Sequence, residues 1–141
     1  MILPDVNVLI CAHRRDAPDH ERFEHWVQAL MLGSQAYGYS ELVLSSVVRI
    51  VTNPRAMQKP TPLDKAIAFV DAFRCPAHAV HLSPGPRHWS IFTSLCTQAD
   101  AKGNLIADAY LAALAIESGS EWITMDRDYA RFPGLHWRPP F

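Results

Sequence analysis

Short apolar runs alternate along this chain with stretches in which apolar residues recur every three or four positions. The short runs predict strands, and the three-to-four spacing predicts helices with one apolar face. The predicted strands cover residues 2–4, 37–39, 79–82 and 121–124. The predicted helices cover residues 6–12, 19–33, 41–51, 62–73, 86–98 and 104–119, and a short helical turn follows Asp126.

Local signals support the boundaries of these helices. Gly33 suits a helix end, and Asn53 before Pro54 breaks the next helix because the residue before a proline disfavours helical geometry. Thr61 is a predicted cap, with Pro62 at the first helical position. Two helices carry apolar stripes: Phe23, Trp26, Val27, Leu30 and Met31 in one, and Leu63, Ala66, Ile67, Val70 and Phe73 in the other.

Strands that alternate with helices favour an α/β fold, in which helices cover both faces of a parallel sheet. The chain has 141 residues, no repeats and no evident linker, so we expect a single domain over residues 1–141. No apolar run approaches the ~20 residues that a membrane span needs. Since Met1 to Pro4 also lacks the basic start of a signal peptide, we expect a cytoplasmic protein without membrane contact.

Composition excludes a protein that holds nucleic acid by charge alone. The net charge is −1, from 13 basic and 14 acidic residues. Ten of the basic residues are arginines, which suit two-point phosphate contacts. Three widely spaced cysteines do not suggest a disulfide framework. Any interaction with nucleic acid must therefore depend on a localised site.

Acidic residues follow three of the predicted strands. Asp5 follows the first strand, Glu41 the second and Asp126 the last, while Asp108 lies near the start of the last long helix. Ligands bind at the carboxyl ends of strands in open α/β sheets, so these acids can share one pocket. Carboxylates that converge without cations repel each other, and Mg²⁺ and Mn²⁺ prefer such oxygen ligands. The sequence therefore indicates a divalent metal site.

Four segments of the chain form a recognisable set: DVNVLI at residues 5–10, RIVTNPR at 49–55, GNLIADAYLAALA at 103–115 and TMDRDYARFPGL at 124–135. Together they resemble the PIN-domain family, specifically the VapC toxins of bacterial toxin–antitoxin pairs. Their order and spacing extend the resemblance over essentially the whole chain. It implies a PIN-like three-layer α/β/α sandwich with a short parallel sheet of four to five strands.

The same resemblance implies the roles of particular residues. Thr124 would hold water or a carboxylate through its hydroxyl, and Asn7 would orient Asp5. In related proteins the second acid often sits a turn later, where this chain has Leu44, so Glu41 would reach the site from three residues earlier. The implied ligands of Mg²⁺, for which Mn²⁺ would substitute, are Asp5, Glu41, Asp108 and Asp126.

The activity implied is endonucleolytic hydrolysis of RNA by metal-activated water. The implied partners are an RNA substrate, a cognate antitoxin protein and a second copy of the chain in a homodimer. The stripe that includes Trp26 and Leu30 is a hypothetical antitoxin surface, although a core-facing helix face explains it as well. Six arginines are hypothetical phosphate contacts: Arg14, Arg15, Arg49, Arg55, Arg127 and Arg131.

Two other functions are compatible with parts of the pattern. A haloacid-dehalogenase-like Mg²⁺ phosphatase also begins with an aspartate after its first strand, but its second aspartate is replaced here by Asn7. A catalytically inactive PIN-like module would bind RNA without cleaving it. Ribonuclease assays with Mn²⁺ and with EDTA, together with a phosphatase assay, separate the three.

Overall fold

A computed structural model describes residues 1–141 as a five-stranded sheet with six α-helices. The strands are β1 (Ile2–Pro4), β2 (Tyr37–Tyr39), β3 (Ala79–His81), β4 (Glu121–Ile123) and β5 (Trp137–Arg138). The helices are α1 (Val6–His13), α2 (His20–Leu32), α3 (Glu41–Val51), α4 (Leu63–Arg74), α5 (His88–Gln98) and α6 (Asn104–Ser118), and a 3₁₀ turn covers Arg127–Arg131.

The sheet has the order β3-β2-β1-β4-β5, and all neighbouring strands are parallel. The chain moves outward from β1 to β3, then returns past β1 to β4 and β5. Because parallel crossovers are right-handed, the helices of the two legs cover opposite faces. The packing agrees, since α1 contacts α2 and α3, α3 contacts α4, and α5 contacts α6. The predicted three-layer α/β/α architecture is confirmed.

The core consists of one continuous group of 26 buried hydrophobic residues. In α2 the stripe is only partly buried: Phe23 and Val27 lie in the core, while Trp26 and Leu30 pack at its edge. In α4 the stripe is also only partly buried: Ala66, Val70 and Phe73 lie in the core, whereas Leu63 and Ile67 are exposed. Helix α4 lies at the outer part of its layer, so only the inner part of its stripe is covered.

Two predictions need correction. Helix α4 begins one residue later than expected, with Pro62 as its cap residue, because the hydroxyl of Thr61 instead contacts Arg14 Nη1 (3.2 Å) and His13 Nε2 (3.1 Å). The strand at residues 121–124 is not the last one. The two-residue β5 follows it and pairs with β4, with Trp137 beside Trp122.

The strand order determines where a site can form. Connections leave β1 towards one side of the sheet and reach β4 from the other, so the carboxyl ends of β1 and β4 flank the crevice at which open α/β sheets bind ligands. Asp5 and Thr124 follow directly on these two strands. Glu41 follows β2, one strand away. None of the six helices has the combined length and apolar character needed to cross a membrane.

Candidate active site

Asp5 lies at the crevice between β1 and β4, and only 5% of its surface is exposed. Its Oδ1 accepts a hydrogen bond from the Val6 backbone amide at 2.6 Å, which caps helix α1. Its Oδ2 accepts one from the Thr124 hydroxyl at 2.6 Å and one from Asn7 Nδ2 at 2.9 Å. The carboxylate is therefore fixed in direction by three donors.

Thr124 is fully buried and joins the two sides of the crevice. Besides donating to Asp5, its Oγ1 accepts hydrogen bonds from Asn7 Nδ2 at 3.0 Å and from the Asp126 amide at 3.0 Å. Asn7 Oδ1 also accepts from the Met125 amide at 3.2 Å. The network therefore fixes the loop after β4 relative to the start of α1, and it positions Asp126.

Asp108, on helix α6, and Asp126, in the segment after β4, face the same crevice. Asp108 lies in the second turn of α6, which runs towards β4 and so places its first turns at the carboxyl edge of the sheet. Asp126 caps the 3₁₀ turn by accepting from the Asp128 amide at 2.8 Å. Tyr129 from the same turn reaches Asp108, with its hydroxyl 3.4 Å from Oδ1.

These acids perturb one another. Burial, and to a lesser extent the charges of Asp108 and Asp126, raise the pKa of Asp5 to about 6, although its hydrogen bonds from Thr124 and Val6 oppose this shift. Burial and the charges of Asp126 and Asp128 likewise raise the pKa of Asp108. Such mutual shifts mark a group of carboxylates that share one low-dielectric region.

A divalent cation fits this set of residues. None of the six ion pairs in the molecule involves Asp5, Asp108, Asp126 or Asp128, so no basic side chain is paired with them. No three acidic, histidine or cysteine side chains are close enough to enclose an ion directly. Mg²⁺ commonly keeps several waters and binds only one or two carboxylates, so direct contact with three is not required.

Glu41 is not brought to the other acids. Its side chain is 58% exposed, and it pairs with Arg74 Nη2 at 3.3 Å and with His81 Nε2 at 3.9 Å. The charge of Asp126 raises the pKa of both Asp5 and Asp108, and Glu41 is not among the groups that shift either one. The reason is its place after β2, one strand away from the crevice. Its assignment as a fourth metal ligand stays a prediction.

Not all the predicted phosphate contacts are accessible. Arg14 is buried and makes a two-point contact with Asp16, with atoms 2.9 and 2.7 Å apart, and it also donates to the Lys59 carbonyl at 2.6 Å. Its role is to attach the segment before α4 to the end of α1. By contrast, Arg127 and Arg131 are exposed on the turn that carries Asp126.

Tyr129 was missed as a site residue because its spacing from Phe132 is that of a core aromatic. The ring does pack in the core, but its hydroxyl faces the acids. Tyr110, two residues after Asp108, lines a cavity of about 760 Å³ between α3, α5 and α6, which Glu41 and Ala107 also line. Half of the 14 residues that line this cavity are hydrophobic, among them Leu42, Leu82, Phe92 and Ile106.

Comparison with known proteins gives consistent matches. The sequence model of the family described as "PIN domain" matches residues 2–135. The protein named ribonuclease VapC25 of Mycobacterium tuberculosis is 43% identical over 141 residues, which cover 99% of each chain. Ribonuclease VapC31 of the same species is 41% identical over 141 residues, again 99% of each chain.

A solved structure has the same fold. The crystal structure of VapBC2 from Rickettsia felis, bound to a DNA fragment from its promoter, contains a chain that superposes with a TM-score of 0.70. The match covers 99% of this chain and 98% of that one at 19% identity. The sequence matches exclude the haloacid-dehalogenase-like alternative.

Proposed function

The chain belongs to the PIN-domain family, within its VapC ribonucleases, and from this premise we propose that it is a divalent-metal-dependent endoribonuclease that serves as the toxin of a toxin–antitoxin pair. The observation that carries the proposal is the group formed by Asp5, Asp108 and Asp126, which share one crevice without a basic partner. An inactive module would have no need to keep this repulsive group.

Asp5, Asp108 and Asp126 would hold the ion, which is Mg²⁺ or Mn²⁺ in this proposal, partly by direct contact and partly through water molecules. When bound, a divalent ion lowers the pKa of water and neutralises charge on the phosphate under attack. Thr124 and Asn7 keep Asp5 Oδ2 aimed by donating to it at 2.6 and 2.9 Å. Groups that are already fixed before the substrate arrives need no reorganisation during the reaction.

Substrate reaches the acids past the 3₁₀ turn. Arg127 and Arg131 are exposed residues that precede and follow Tyr129 in the sequence of this turn, within five residues of Asp126. They can hold RNA phosphates on each side of the scissile bond, and arginine is suited to this by its planar set of donors. Single-stranded or looped RNA is the expected substrate because it exposes bases that a duplex conceals.

Cleavage assays test the activity. The purified protein should cut RNA internally when Mg²⁺ or Mn²⁺ is present and should stop when EDTA is added. Arg131→Ala combined with Arg127→Ala should weaken cleavage mainly through a higher KM. RNA binding without cleavage under all metal conditions would instead support the inactive module.

An antitoxin partner is part of the proposal. The Rickettsia felis structure holds a VapB–VapC pair, and Trp26 and Leu30 on α2 are only partly covered by this chain's own core. An amphipathic antitoxin helix can bury both residues, and an arginine from it can pair with the free carboxylates. Co-purification with the product of the neighbouring upstream gene should fail for Leu30→Glu and weaken for Trp26→Ala. Equal capture by both variants and the wild type would contradict this surface.

We also propose the homodimer. Leu42, Trp89 and Ile106 are exposed apolar side chains on the three helices that border the large cavity. A second copy of the chain would cover them, since exposed apolar patches of this kind commonly mark protein interfaces. Sedimentation should give a dimer for the wild type and a monomer for Trp89→Glu. A wild type that sediments as a monomer at high concentration would contradict the dimer.

A further inference from the structure

Tyr129 occupies an unusual position for a core aromatic. The residue is only 1% exposed, and its ring packs against Trp122 and Phe132 with centroids 5.4 and 5.8 Å apart. The far end of the ring is polar, and it lies towards the acidic crevice. Its hydroxyl is 3.4 Å from Asp108 Oδ1, and this is its only hydrogen-bond partner.

Packing alone does not account for this hydroxyl. Phenylalanine would fill the same space between Trp122 and Phe132, and it would bring no polar atom that must be separated from water. A buried hydroxyl costs free energy unless it has a partner. A phenol is protonated near neutral pH, so towards a carboxylate it acts as a donor. The Tyr129 hydroxyl is therefore a suitable hydrogen-bond donor for a charged Asp108 carboxylate.

The contact joins two elements that carry separate acids. Asp108 belongs to α6, whereas Tyr129 belongs to the 3₁₀ turn that Asp126 caps. A hydrogen bond between them sets the position of the α6 carboxylate relative to the turn. It also occupies Oδ1 of Asp108 and leaves Oδ2 without a protein donor.

We propose that Tyr129 is a positioning residue, whose hydroxyl fixes the Asp108 carboxylate so that its second oxygen is presented to the bound metal. This inference rests on the proposed metal-dependent function. Partners of this kind are known to orient metal ligands, and their loss commonly weakens metal binding or activity by about 10–100-fold. The effect reaches the reaction only through Asp108.

Tyr129→Phe is the direct test because it removes one oxygen atom and keeps the ring. Tyr37→Phe is a matched control. Tyr37 is also fully buried, and its hydroxyl donates to the Phe73 carbonyl at 2.6 Å, in a part of the sheet that holds no acid of the crevice. Mn²⁺ binding to the 141-residue chain is measured by calorimetry, and metal-free melting curves establish that each variant is folded.

Tyr129→Phe should weaken Mn²⁺ binding by about 10-fold or more, while Tyr37→Phe binds as the wild type does. In RNA cleavage at fixed Mn²⁺, kcat should fall for Tyr129→Phe and KM should stay the same. Wild-type affinity in folded Tyr129→Phe would overturn the inference and leave the metal site intact. A wild type that binds no Mn²⁺ would overturn both the metal site and the inference.

Discussion

The Thr124 hydroxyl donates to Asp5 Oδ2 across 2.6 Å, although the two residues are 119 positions apart in the chain. Adjacent parallel strands make this contact possible, since β1 and β4 pair in register and the next residue on each is Asp5 or Thr124. The first and the last of the four segments that resemble the family thus meet in a single hydrogen bond.

Thr124→Val should test the contact because valine has nearly the same shape and no hydroxyl. It leaves Asp5, Asn7 and the Asp126 amide each without one partner, which should lower the free energy of unfolding by about 1–3 kcal/mol. Ribonuclease activity should fall by more than this loss of stability alone would cause. Thr124→Ser is the control and should retain both. Denaturant unfolding and initial cleavage rates are the measurements, and a fully active Thr124→Val would contradict the role.

The pKa of Asp5 predicts a pH dependence of stability. Folding raises it from 3.8 to about 6, so the folded state binds the proton more tightly than the unfolded chain does. The stability from this protonation is complete below about pH 4 and is lost as the pH rises through about 6. In EDTA, the wild type should therefore lose stability between these values relative to Asp5→Asn. If the melting temperatures of the two proteins change in the same way across this pH range, the raised pKa of Asp5 is contradicted.

Metal should reverse this loss. A ligand that binds only the folded state stabilises it by RT ln(1 + [L]/Kd), so millimolar Mg²⁺ or Mn²⁺ should raise the Tm at pH 7. The increase should be smaller near pH 5, where Asp5 carries a proton, and smaller again in Asp5→Asn. Calorimetric melting with Ca²⁺-free buffers measures it. A Tm that is the same with Mg²⁺, with Mn²⁺ and with EDTA would exclude a metal site that is occupied at millimolar concentrations of these ions.

Much of the fold was predictable because its signals are local. The alternation of strands and helices, the end of α2 at Gly33 and the end of α6 at Gly119 follow from spacing and from residue type. Gly119 has a φ of +65°, which glycine adopts without strain. Strand β5 was missed because two residues give no periodicity, and its pairing with β4 is a property of the folded sheet.

The site was less completely predictable because strand order is not local. Asp5 follows β1 and Asp126 follows β4, and these two strands are neighbours in the sheet. The expectation that acids meet at the ends of strands therefore brought these two residues together correctly. Glu41 follows β2, which lies on the opposite side of β1 from β4, and its side chain pairs with Arg74 and His81. Sequence spacing could not distinguish these two situations.

Glu41→Gln distinguishes the two roles open to Glu41. If its partners are Arg74 and His81, cleavage should be almost unchanged, and the free energy of unfolding should fall by no more than about 1 kcal/mol, the contribution of an exposed ion pair. Arg74→Gln is the matched control and should have a similarly small effect. A loss of metal binding in Glu41→Gln but not in Arg74→Gln would make Glu41 the fourth ligand implied by the resemblance.

The rate of RNA cleavage by Asp108→Asn is the most direct test of a carboxylate-bound metal as the source of activity. Asparagine keeps the shape of Asp108 and can still accept from Tyr129, so the variant should fold and melt at or above the wild-type temperature without metal. Measured in Mn²⁺ beside the wild type, its cleavage rate should fall by about 100-fold or more. Cleavage by folded Asp108→Asn at a rate near that of the wild type would contradict the account.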